Sequence, residues 1–244
     1  MANKNDFLTS MTDLMISLVL IFMLLLASTM LKLNDQTNES NKTRQKLKEE
    51  LSRVLKENFD KDLDVQNVPT DPLSIKIILG ESENTLKFER GSYNLNNKDK
   101  AFLDKLMPEI LNTLNKPEYK NEIDTIKIEG YTDNDKYIGK NVNYSNVELS
   151  QDRALVVFNY TRKHSLNNQK SLKEFFIDKT SINGKGDIPE YLICKKEKND
   201  CKNNPNNVDK QKSRRVEIKI KIKSYDETKL QNKNHKIQKV ISNK

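Results

Sequence analysis

From Leu14 to Leu31 the chain carries no charge, and most of these residues are Leu, Ile, Met, Val or Phe. As a helix the run rises about 27 Å, close to the roughly 30 Å hydrocarbon core of a bilayer. Nothing else in the chain is so apolar, and the run predicts a membrane span over residues 9–33. One carboxylate, Asp13, stands inside its leading end, with Thr12 and Ser17 close by. Thr9, Asp13 and Ser17 share one helix face at i, i+4 spacing. The run is longer than the core of a secretory leader, Asp13 lies within the span and no cysteine stands just after it. An uncleaved anchor is therefore expected rather than a removed signal peptide.

Of the 244 residues, 35% are hydrophobic and 32% charged, and much of the apolar share lies in the first 33. The rest can build one modest core, so one domain is expected behind the anchor. The net charge of +8 comes from Lys scattered among Asn and Glu, without an Arg cluster and without Trp. That pattern describes a solvated surface, and no direct nucleic-acid partner is expected. Cys194 and Cys201 would be free thiols in a reducing compartment and a disulfide closing a short loop in an oxidising one. Their spacing is a poor zinc signature, and no metal site is expected.

Residues 34 to about 46 are polar and predict a linker. Leu47, Leu51, Val54, Leu55 and Phe59 recur at helical spacing, predicting an amphipathic helix over about 43–59 that either packs on its own domain or forms a short coiled coil. From about residue 63 the patterning alternates between strand and helix. Strands are expected at Leu73–Leu79, Ile123–Glu129 and Val216–Ile222, with shorter extended pieces at Thr85–Phe88 and Ser181–Gly186. Helices are expected at Lys98–Leu114 and Leu149–Arg162, the latter with Ser150 as N-cap, and a helical turn around Leu172–Phe176. Residues 195–212 are too polar to pack, and the Lys- and Asn-rich last twenty predict a loose helix or disorder. The order gives an α+β sandwich, with helices on one face of a mixed sheet.

Four pieces then become recognisable in order: IEGYTD (Ile128–Asp133), NVELSQDRA (Asn146–Ala154), INGKGDIPE (Ile182–Glu190) and SRRVEI (Ser213–Ile218). Together with the upstream FERGSYNL (Phe88–Leu95), they resemble the OmpA-like peptidoglycan-binding domain, with an insertion, KYIGKNVNYS, between Asp133 and Asn146. In that family the pocket captures the diaminopimelate of the wall stem peptide. The resemblance implies that Asp133 accepts from the ligand ammonium and that Arg153 holds its carboxylate bidentately. It also implies that Asn146 and Leu149 line the pocket and that Arg214 is a further donor. A wall-binding domain lies outside the inner membrane, so residues 1–8 become a cytoplasmic tail and the domain becomes periplasmic. The Cys194–Cys201 disulfide is then expected.

An Asp-bearing span joined to such a domain resembles the B subunits of ion-driven stators, of which flagellar MotB is the familiar member. TSMTDLMISLVLIFMLLL resembles their span. FLTSMTDLMISLVLIFMLLLA is more similar to the ZorB family of the Zorya antiphage defence system, whereas flagellar members carry a longer tail before the span. The resemblance implies a non-enzymatic, ion-translocating subunit in the bacterial inner membrane. A dimer of this chain would sit inside a pentamer of a ZorA- or MotA-like multi-span partner, in contact with membrane lipid and with peptidoglycan. Asp13, with Ser17 and Thr12, would carry H+ or Na+, and no other cofactor is implied. A carboxylate in lipid costs several kcal/mol, so it persists where it faces a protein or water-lined path. The domains read from this are 1–8 tail, 9–33 span, 34–62 linker with amphipathic helix, 63–224 OmpA-like domain and 225–244 basic tail.

Overall fold

The computed structural model describes residues 4–59, 63–79, 86–136, 145–195 and 204–224. The expectations for residues 137–144 of the insertion, for Thr85, for Cys201 and for the tail 225–244 fall outside these, and so does the Cys194–Cys201 pairing. The chain divides into two compact units. One is Lys42–Lys223; among the described residues, the other holds the part of the chain before Lys42.

Helix α1 runs Lys4–Asn58, so the polar stretch expected as a linker is helical throughout. In the first unit the side chains from Met11 to Asn34 are exposed, and this is one helix long and apolar enough to cross a membrane. The Ser17 hydroxyl donates to the Asp13 backbone carbonyl at 2.7 Å, which satisfies it inside the helix.

The second unit begins at Lys42 rather than at residue 63, and the reason is the stripe Leu47, Leu51 and Leu55. All three are fully buried in the domain core. Glu50 accepts from the Lys116 ammonium and from the Tyr119 hydroxyl, which hold its carboxyl below the usual range. Phe59 meets Phe102 edge-on at 5.9 Å. Of the two arrangements the spacing allowed, these leucines adopt packing on their own domain.

The strands are β1 (Val65–Val68), β2 (Asp71–Leu79), β3 (Ile123–Gly130), β4 (Thr180–Gly184) and β5 (Val216–Ile222), in the order β1-β2-β5-β3-β4. β3 and β4 run parallel and the other pairs antiparallel. β1 was not anticipated, because four half-polar residues, VQNV, give no usable alternation. The register places Val65, Ile77, Ile218, Ile128 and Ile182 in one row, with Ile75, Ile220 and Ile126 in the next. On this face lie α1 beyond Lys42, α2 (Asn97–Leu114), α4 (Asn146–Tyr160) and α5 (Lys170–Lys179), sharing one core. A short α3 (Pro117–Lys120) leads into β3, and a one-turn α6 (Lys210–Ser213) leads into β5.

Helix α4 starts earlier than its apolar pattern suggested. Its N-cap is Ser145, in a capping box with Glu148. Ser150 instead lies within the helix, fully buried, and its hydroxyl accepts from the Gly186 N–H at 2.9 Å. A π-helical turn, Thr161–Ser165, ends α4.

Because Leu51 is core, Leu51→Ala is expected to destabilise the domain by about 2–5 kcal/mol. Denaturant unfolding of the full chain in detergent measures this. A loss below about 0.5 kcal/mol, the range of a surface change, would contradict the assignment of this helix to the core.

Candidate functional site

The site forms where β3 ends against α4. A Cβ on Gly130 would meet the Ser150 carbonyl oxygen at 1.9 Å, and one on Gly184 would meet the Val147 carbonyl at 2.5 Å. Only glycine lets the helix backbone lie this close to the strand ends. That approach carries Arg153, one turn along α4, to the chain leaving β3.

Arg153 is fully buried. Its Nη1 donates to the Tyr131 carbonyl at 2.9 Å, its Nε to Ser92 at 2.9 Å and its Nη2 to Glu89 at 3.1 Å. The Phe88 ring lies 5.2 Å from the guanidinium carbon. Gly91, at φ +65°, makes the turn in which Ser92 N–H returns to the Glu89 carbonyl, and both ends of that turn supply acceptors to Arg153. Burial pushes the Arg153 guanidinium down to about 10, with Asp133 opposing that shift and Arg214 adding to it. In this state Arg153 is a clamp joining three backbone carbonyls, not an open fork awaiting a carboxylate.

Asp133 is buried as well. One carboxylate oxygen takes the Arg214 Nη1 at 2.5 Å, and the other accepts from the Asp135 N–H at 3.1 Å. Arg214 also donates through Nε to the Phe88 carbonyl at 3.0 Å, and its side chain keeps 17% of its surface exposed. It is therefore more accessible than the fully buried Arg153. The Asn146 amide donates to the carbonyls of Asp135 at 2.9 Å and Asp133 at 3.4 Å. Leu149 is buried on the first turn of α4, and its N–H is spent on the Ser145 carbonyl. Both residues sit in the first turn of α4.

The sequence reading missed the outer charges. Asp135 accepts from Lys210 at 2.6 Å and meets Arg90 at 3.3 Å, and the Lys210 ammonium and its neighbours hold that carboxyl below its usual range. Its place two residues after Asp133 was the available signal. The side-chain oxygens of Asn146 and Thr132 are buried without a hydrogen-bond partner among the described residues. Such orphaned acceptors suit a ligand that brings N–H or O–H donors. Thus Asp133, Arg153, Arg214, Asn146 and Leu149 come together, and Asp13, Ser17 and Thr12 lie in the other unit.

Residues 87–207 match the OmpA family. No curated protein sequence matches. A MotB-like protein from Desulfovibrio vulgaris superposes with a TM-score of 0.52 at 16% identity, over 77% of this chain and 99% of that one. The periplasmic domain of Helicobacter pylori MotB gives 0.44 at 20% identity, over 73% and 97%. The type VI secretion cell-wall anchor from Pseudomonas aeruginosa gives 0.44 at 17% identity, over 71% and 97%.

Three carbonyls depend on a planar fork of donors, which an ammonium cannot reproduce. Arg153→Lys is therefore expected to cost about 2–3 kcal/mol of stability, read as a lowered thermal midpoint. An unchanged midpoint would refute the clamp. The fold is an OmpA-like α+β domain behind one N-terminal helix apolar enough to span a membrane.

Proposed function

We propose that this chain is a single-pass inner-membrane protein, N-terminus cytoplasmic, whose OmpA-like domain holds peptidoglycan in the periplasm. We further propose that it is the B subunit of an ion-driven motor. The observation that supports this reading is the conjunction of two features in one chain. One is a carboxylate at the leading end of an uncharged apolar run, Leu14–Leu31; the other is an OmpA-family domain with Asp133, Arg214 and Asn146 gathered at the β3 end. Asp133 and Arg214 are an acid and a base already paired. A ligand carrying both an ammonium and a carboxylate, as diaminopimelate does, can replace that internal pair with two ion pairs of its own. Arg153 holds the walls of the pocket.

In this reading Asp13 takes and releases an ion as it moves past a multi-span partner, and the wall tether keeps the span from turning. The torque then acts on the partner. Sequence similarity of the span favours a Zorya-type motor, a dimer of this chain within a ZorA-like pentamer acting in antiphage defence. The fold likeness to the MotB-like protein from Desulfovibrio vulgaris supports the second reading, a flagellar or gliding stator subunit.

Asp13→Asn removes the titratable group while keeping size and polarity. The variant is expected to reach the membrane and sediment with purified sacculi as the parent does, and to lose motor output, scored as phage protection or motility. Full output from Asp13→Asn would refute the ion-relay role. Loss of sacculus binding in that variant would refute the separation of anchor from wall site.

A further inference from the structure

The sheet face turned away from the helices carries a row of like charges. Cross-strand register sets Lys76 of β2 opposite Lys219 of β5, and Lys219 opposite Lys127 of β3. Lys221 stands two residues along β5 from Lys219 on the same face. Neighbouring strands lie ~4.8 Å apart, and like charges directly opposite one another destabilise a sheet. Lys219 is relieved by Glu129 and Glu217. Among the described residues, Lys76, Lys127 and Lys221 have no such partner. At one end of this face Lys76 and Lys219, with the buried Arg215, line a cleft of about 570 Å³ between the β1–β2 turn and the Tyr191–Cys194 segment. Glu190 and Glu217 line the same cleft, and Glu217 pairs with Arg215 and Lys219, so the cations left over on this face are Lys76, Lys127 and Lys221.

We infer that this lysine face docks on the anionic headgroups of the bilayer that the N-terminal helix spans. Charge complementarity is one ground. The tether is the other: only residues 34–41 lie between the end of the apolar run and the compact unit that starts at Lys42. As part of the continuous helix α1, that length rises about 12 Å. A cationic face held on so short a leash meets a high local concentration of lipid phosphate, and each lysine near such a surface contributes independently to attraction. The inference rests on the helix crossing a membrane, and is independent of wall binding.

The test is lysine acetylation footprinting of the full chain, read by mass spectrometry, in nanodiscs of phosphatidylcholine alone or of phosphatidylcholine and phosphatidylglycerol in equal parts. Labelling of Lys76, Lys127 and Lys221 is expected to fall about fivefold in the anionic discs and to recover at high salt. Lys105 and Lys163, exposed on the helix side, serve as references and should not change. Equal labelling in both lipids overturns the inference. Protection that arises only when soluble wall fragments are added to neutral discs overturns it too, and assigns the face to a wall polymer. Failure to incorporate into either disc would instead strike at the membrane span itself.

Discussion

The contact on which the domain depends is the one between two backbones, where the Ser150 carbonyl occupies the space a side chain at residue 130 would need. It sets the height of α4 above the sheet, and from that height follow the rest. Arg153 arrives within reach of Tyr131 O, and its remaining donors find the Glu89–Ser92 turn. The desolvation of a guanidinium is tolerated there because three carbonyls and the nearby Asp133 charge replace its water. Asp133 is then left to pair outward, with Arg214 between α6 and β5. Four separated motifs become one site because one glycine allows one close approach.

That ordering explains which parts of the molecule were legible in the sequence. Long elements with strong periodicity were readable: β2, β3, β5 and α2 fall within a residue or two of expectation. Asp133, Arg153, Asn146, Leu149 and Arg214 were named from motif order, and they converge. Their division of labour was not readable. Burial decides that Arg153 serves the backbone while Arg214 stays accessible, and burial is a property of packing. Ser150 resembled a cap because it precedes an apolar run, but the capping box with Glu148 competes for that role one turn earlier. The helix stripe at Leu47, Leu51 and Leu55 suited two partners equally well by spacing, and only the presence of a core to receive it decides between them.

The two faces of the sheet divide the work. The helix face carries the Ile-rich core and presents the acid–base pocket at the strand ends. The opposite face is polar, with a buried cluster in which burial pushes Glu129 up while Lys219 and Tyr131 outweigh it, so the carboxyl stays low. Beyond that cluster Lys76, Lys127 and Lys221 have no acidic partner among the described residues. Strands written LSIKIIL and VEIKIKI show the alternation at a glance, but only the register sets their lysines abreast. The domain thus has a paired acid and guanidinium at the strand ends on one side and a lysine-bearing sheet face on the other.

In the proposed function the Asp133–Arg214 pair opens to a ligand carrying both charges. Calorimetric titration of the full chain in detergent with two soluble stem peptides, alike except for diaminopimelate or lysine at the third position, tests it most directly. Heat of binding is expected from the diaminopimelate peptide, with a loss of at least tenfold in affinity for the lysine peptide, which lacks the second carboxylate, and a similar loss in Asp133→Asn, about 1.4 kcal/mol or more. Equal affinity for the two peptides, or undiminished binding by Asp133→Asn, would contradict it.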